Sequence, residues 1–177
     1  MTENQKSLNS TENKNFTIRA PRSEDPTEMD ALFLSGYDTW NEGRSVEKFL
    51  ADCRTSKKYA EGRWFVLVDQ NNCLASKLIV YPLGTNQYGI GTFATPPSFR
   101  GKGYGSRLLE GVLEVLKGMG AEAVFLFSDI DPKFYENFGF KQLPERLQLV
   151  SGSVLMSLGE GSERIVSHSD FVPPAYF

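Results

Sequence analysis

Arg100, Lys102 and Arg107 bracket three alternating glycines, Gly101, Gly103 and Gly105, where a β-branched and aromatic run gives way to a helical pattern. A helix start leaves several backbone N–H groups without partners and gathers partial positive charge. Most helices answer with an Asp or Glu in the first turn. Here the first carboxylate after the turn is Glu110, so the flanking side chains add to the positive field. Alternating glycines permit positive φ and let main-chain amides approach a bulky anion without Cβ obstruction. Ser106 can cap the helix or touch a phosphate. The pattern predicts a seat for a phosphate-bearing ligand.

Two familiar phosphate loops do not fit. A Walker A loop needs Gly five residues before its Gly-Lys pair and Ser or Thr after the Lys. Around Gly101 and Lys102 those places hold Pro96 and Gly103. The dinucleotide fingerprint needs GxGxxG directly after a strand. Residues 101–106 read GKGYGS, and Phe99 and Arg100 intervene.

The elements that must position this turn follow from periodicity and punctuation. Phe16 to Ala20 alternates as a first strand, and Pro21 to Asp25 supplies capping chemistry for a helix around Thr27 to Tyr37. A second helix is expected from Ser45 to Arg54. Trp64 to Val68 and Cys73 to Tyr81 are β-rich runs joined by DQNN, a hairpin signal. A further strand, Tyr88 to Thr95, stops at Pro96 and Pro97. From Gly103 to Lys117 the residues Leu108, Leu109, Val112, Leu113 and Leu116 share one helical stripe. Ala123 to Phe127 is almost continuously apolar, as a central strand covered on both faces would be. A short helix from Asp131 and Pro132 to Glu136, then weaker strands at Leu147 to Val150 and Val154 to Leu158, complete the pattern. The aromatics of the final DFVPPAYF are expected to lie against the body.

At 177 residues with 40% hydrophobic content, the chain suits one domain over residues 16–177, with a polar, disordered tail at 1–15. A net charge of −3 and the absence of long basic runs argue against a nucleic-acid surface. There is no span of membrane length and no secretory leader, so a cytoplasmic location and no membrane partner are expected. One His and two scattered Cys offer no metal-ligand spacing, so no metal is expected.

The order β, α, α, three strands, helix, strand, helix, strand, with a basic glycine turn after the fourth strand, resembles the GCN5-related N-acetyltransferase (GNAT) superfamily. Its acyl-CoA signature, Q/R-x-x-G-x-G/A, is matched by Arg100, Gly103 and Gly105, and its strand-end pattern by Phe93, Ala94, Thr95 and Pro97. A second match comes later: Ser128 at the end of the fifth strand, then Phe134-Tyr135 and Gly139-Phe140. The resemblance implies a mixed α/β (α+β) fold: a mostly antiparallel sheet splayed between its fourth and fifth strands, with about four flanking helices. It implies acetyl-CoA as co-substrate. Pantetheine would pair with Phe93, Ala94 and Thr95 and approach Ser128, and pyrophosphate would rest on amides of Arg100, Gly101, Lys102, Gly103, Tyr104, Gly105 and Ser106. Tyr135 would return a proton to the departing thiolate.

The function implied is direct transfer of acetyl to a primary amine of a small molecule or peptide, because no GxSxG-type nucleophile motif is present. The alternative is an acyl-CoA-binding module or sensor that performs no transfer. The resemblance leaves a homodimer open. The general base stays unassigned among Asp129, Asp131, Glu136, Glu28, Asp30, Asp38 and Glu42. Tyr37 and Trp40 are candidates for the acceptor pocket.

Overall fold

The computed structural model describes residues 16–177. The expected tail at 1–15 lies outside the described residues. Seven strands form one sheet: β1 (Phe16–Arg19), β2 (Arg63–Asp69), β3 (Leu74–Gly84), β4 (Gln87–Ala94), β5 (Ala123–Ser128), β6 (Lys141–Gln142) and β7 (Val154–Leu158). Their order is β1-β2-β3-β4-β5-β7-β6. Every pairing is antiparallel except β4 with β5, which is parallel.

Helices cover both faces. On one side lie α1 (Pro26–Leu34), α2 (Tyr37–Trp40), α3 (Val46–Thr55) and α4 (Lys57–Glu61). On the other lies α5 (Tyr104–Gly118), the crossover that makes β4 and β5 parallel. Two short helices, α6 (Lys133–Glu136) and α7 (Ser162–Ser167), follow β5 and β7. The period-two alternation of β3 divides the core. Leu78 and Val80 pack with Leu108, Leu109, Val112 and Leu116 of α5. Ile79 and Tyr81 pack with Leu32, Phe33 and Phe49 of α1 and α3. Each such side chain contributes about 1.5–3 kcal/mol by leaving water.

Local chemistry explains the boundaries. Asp25 caps α1 by accepting from the amides of Thr27 and Glu28, and Pro26 begins the helix where no donor is needed. The expected helix to Tyr37 breaks earlier. Ser35 donates its hydroxyl to the Leu32 carbonyl, and the Trp40 ring fills the space that a Cβ on Gly36 would need. The glycine thus lets Trp40 fold back over the end of α1. In the DQNN turn, Asp69 Oδ1 accepts from the amides of Asn71 and Cys73, and Asn72 takes a φ of 60°.

One expected strand is corrected. Residues 147–150 are not a strand: a 3-10 turn spans Glu145–Leu147, and Leu149 is exposed. The Gln148 amide instead donates to the carbonyls of Leu143 and Leu155 and accepts from the Leu155 amide, so a side chain uses bonds that a strand there would have made. Only Lys141 and Gln142 pair with β7 on that edge. Beside the four expected helices, the described residues include the short α2, α4 and α7, whose four to six residues are too few for a periodic stripe. At the far end, Phe171 stacks on Phe125 at 5.9 Å between ring centres, and Phe177 packs on Tyr81 and Phe127. No helix among the described residues is long and apolar enough to cross a membrane.

Candidate active site

The site originates in a defect of β4. Ile79 is opposite Gly91 and Lys77 is opposite Ala94, so one more residue stands on β4 than on β3. The extra residue forms a bulge where Thr92 adopts a φ of 51°, a conformation costing a β-branched residue about 1–3 kcal/mol. The Thr92 hydroxyl lies 3.3 Å from that of Tyr81. The β4–β5 ladder runs from Gln87↔Ala123 to Ile90↔Leu126 and then stops, although both strands continue. Beyond Ile90 the edge of β4 has no strand partner. A cleft of about 990 Å³ opens there, lined by Gly91–Thr95, the glycine turn and Tyr135.

The turn fits the predicted anion seat. Gly101 and Gly103 have φ of 72° and 78°, and nothing stands within 4 Å of a Cβ built on either. No side chain caps α5, and no acid lies in its first turn. The Arg107 amide bonds the Gly103 carbonyl at 3.0 Å as the first bond of the helix, so the amides before it have no intrahelical partner. A Cβ on Gly105 would lie 3.1 Å from Thr95 Oγ1 and 3.4 Å from the Phe93 ring. Thr95 Oγ1 in turn lies 3.0 Å from Ser76 Oγ, which also donates to the Ala94 carbonyl.

The cationic side chains depart from expectation. Arg100 meets the Asp38 carboxylate at 2.6 Å and donates to the Thr95 carbonyl at 2.8 Å. That pairing holds the Asp38 carboxyl below its ordinary range. Lys102 donates to the Ser98 carbonyl at 2.8 Å and lies outside the cleft lining. The Arg107 guanidinium sits 5.4 Å over the Phe16 ring. With these side chains engaged elsewhere, the turn presents mainly its backbone amides. Ser128 is also outside the lining: it is 2% exposed, and its hydroxyl closes a turn onto the Ile130 carbonyl at 2.8 Å.

Tyr135 stands where α6 presents it, with Asp131 Oδ1 accepting from the Lys133 amide to start the helix. Its ring packs among Phe93, Phe134 and Phe140, and the residue is 7% exposed. Burial, reinforced by the Asp129 charge, pushes the phenol's pKa upward, so it stays protonated at neutral pH. Among the carboxylates considered as bases, Asp129 and Glu42 line the cleft. Glu28 is held by Arg19 and Arg22, and Asp30 by Arg54. Asp131 serves the α6 start, and Glu136 accepts from Gln142. Trp40 lines the cleft; Tyr37 does not, and donates to the Arg44 carbonyl at 2.6 Å.

Several lining residues escaped sequence reasoning. Asp52 and Cys53 of α3, Lys58 and Tyr59 at α4, and Tyr176 and Phe177 also line the cleft. Tyr176 donates to Asp129 at 2.7 Å, and the Phe177 ring rests on Gly89 and Gly91, where a side chain would collide with it. Just behind Trp40 lies Lys77, 1% exposed, its ammonium 5.5 Å from the Trp40 ring centre and 5.2 Å from that of Trp64. Burial lowers its pKa to about 7. Nothing in the local sequence marks this lysine as buried.

Comparison with known proteins agrees with this geometry. A search of curated protein sequences returns no match. Among solved structures, the PaiA N-acetyltransferase of Thermoplasma acidophilum, in complex with coenzyme A, superposes with a TM-score of 0.64 at 16% identity, covering 81% of this chain and 98% of that one. An aminoglycoside 6′-N-acetyltransferase complexed with coenzyme A gives 0.62 at 18% identity over 80% and 96% of the two chains. A GNAT family acetyltransferase of Brucella melitensis in complex with acetyl-CoA gives 0.58 at 20% identity over 81% and 87%. These likenesses establish the fold. The family model for the GNAT acetyltransferases matches residues 27–140, which span α1, the bulged strand, the glycine turn and α6. The chain that builds this uncapped turn beside a parted sheet belongs to the GNAT acetyltransferase family.

Proposed function

We propose that this protein transfers the acetyl group of acetyl-CoA directly to a primary amine. The observation that carries the reading is the gap beyond Ile90, which runs from the uncapped amides before α5 to the Tyr135 ring. A pyrophosphate fits the amides from Gly101 to Ser106, where positive-φ glycines leave the approach open. Pantetheine fits the unpaired β4 edge as an added strand would. An N–H on that edge is then available to polarise the thioester carbonyl.

The chemistry balances without a covalent enzyme intermediate. The neutral amine forms a C–N bond to the acetyl carbon, the C–S bond breaks, and the amine loses a proton to water. The thiolate takes a proton from Tyr135, which regains one from solvent. Assay of free thiol release from acetyl-CoA against a panel of primary amines, with mass detection of the acetylated product, tests this. Turnover with at least one amine is expected. Tight acetyl-CoA binding with no turnover across a broad panel would instead make the protein an acyl-CoA-binding module.

A further inference from the structure

We propose that Lys58 is itself an acetyl acceptor, modified within its own molecule by acetyl-CoA bound in the gap. The proposal rests on the acetyl-transfer reading and adds a covalent modification site to it. Among the described residues, Lys58 is the only lysine that lines the cleft. It belongs to the short helix α4, beside Lys57, which is exposed and outside the lining.

The register of the sheet fixes where the Lys58 ammonium lies. The β4–β5 ladder ends at Ile90↔Leu126, so Gly91 and Phe127 are the first residues of the parted strands. The Phe177 ring covers Gly91, and the Tyr176 ring packs on Phe127 at 5.1 Å between centres. Gly91 is opposite Ile79, which belongs to the core under α1 and α3. Tyr176 and Phe177 therefore straddle the mouth of the gap on the face away from α5. The Lys58 ammonium lies 5.3 Å from the Tyr176 ring centre on that face. A cofactor seated at the start of α5 brings its thioester into the gap from one face, and Lys58 stands at the other.

The nitrogen is suited to attack. Burial lowers its pKa, against the opposing effect of the Asp129 charge, so a larger share is neutral amine than in an exposed lysine. No hydrogen bond or ion pair with a described residue ties it down, and its four-carbon stem is flexible. Asp129 accepts from Tyr176 at 2.7 Å and lies within electrostatic reach of Tyr135 as well, so amine and phenol border the same carboxylate. Holding the amine beside the thioester turns a bimolecular encounter into a unimolecular step. The neutral Nζ forms a C–N bond to the acetyl carbon as the C–S bond breaks. It gives up a proton to water, and the thiolate takes one from Tyr135. The products are an uncharged amide on Lys58 and free CoA.

The test incubates the purified protein with deuterium-labelled acetyl-CoA at pH 8 and follows intact mass, then locates the label by peptide mapping. Lys57 reports purely chemical acetylation in the same molecule. Lys58 should be labelled at least about tenfold faster than Lys57. At saturating acetyl-CoA its rate constant should not change when the protein is diluted. Gly103→Glu should bring the Lys58 rate down to that of Lys57, and Lys58→Arg should abolish the fast label. Labelling of Lys58 no faster than Lys57, or equally fast in Gly103→Glu, would overturn the proposal, as would a rate constant that falls on dilution. If CoA binds by calorimetry and external amines are acetylated while Lys58 stays unlabelled, only this proposal fails. Failure of CoA itself to bind would refute the acetyl-transfer reading and this proposal with it.

Discussion

The guanidinium of Arg100 meets the Asp38 carboxylate at 2.6 Å, tying the glycine turn to α2 across 62 residues of sequence. The same contact occupies the Arg100 guanidinium and joins the glycine turn to the helix carrying Trp40. An exposed pair of this kind is worth about 0.2–1 kcal/mol. Arg100→Ala should therefore raise the KM for acetyl-CoA by less than tenfold and shift the urea midpoint little. A loss of binding beyond a hundredfold in calorimetry would mean that the side chain holds phosphate directly.

Gly103→Glu should be far more damaging. The Cβ itself meets open space, so the fold survives a left-handed cost of about 1–2 kcal/mol. The carboxylate, however, enters the field of the uncapped helix start. A rise of about a hundredfold or more in the Kd for CoA, with an unchanged far-UV spectrum, is expected. Retained affinity would remove the amides of this turn from the binding site.

Tyr135→Phe preserves the ring contacts with Phe93, Phe134 and Phe140 and deletes only the hydroxyl. We expect kcat to fall by about 10²–10⁴-fold with little change in the KM for acetyl-CoA. Because the phenol's pKa is raised above its ordinary value near 10, wild-type activity should show no alkaline limb from this residue below that pH. Full kcat in the variant across the pH range would dismiss the proton-donor role.

Lys77 makes stability depend on pH. Its folded pKa is lowered to about 7 from 10.5, so between those values the unfolded chain binds more protons and stability rises with pH. Below about pH 7 both states are protonated, and the folded one bears the full cost of the buried charge. Lys77→Met should raise Tm at pH 7 and flatten its increase toward pH 10. Thermal melts of the two proteins at pH 6, 7, 8 and 9 measure it; parallel curves would show the ammonium well compensated inside the fold.

Much of the scaffold was legible because it obeys simple periods. The stripe of Leu108, Leu109, Val112 and Leu116 marks α5, and the apolar run 123–127 marks the central strand. The glycine turn stood out because its charge and conformation conflict with an ordinary helix start. The cleft wall made by α2, α3 and α4 was hidden for the opposite reason. Lys77 carries no local mark of burial, and the indoles of Trp64 on β2 and of Trp40, which folds back at Gly36, cover it from elements distant in sequence. The Gln148 side chain replaces strand bonds that no local pattern encodes, and Ser128 spends its hydroxyl on a turn. Arg100 and Lys102 promised cationic arms, but partners distant in sequence or just upstream capture both.

Thr92 is the residue that β4 has in excess. Removing it would let the strand resume its regular pleat, zip onward along β5 and shed an unfavourable φ, so the shortened chain would be a sturdier sheet with nowhere to admit a thioester. Selection for thermal robustness alone would be expected to discard that residue; a working catalyst must keep it.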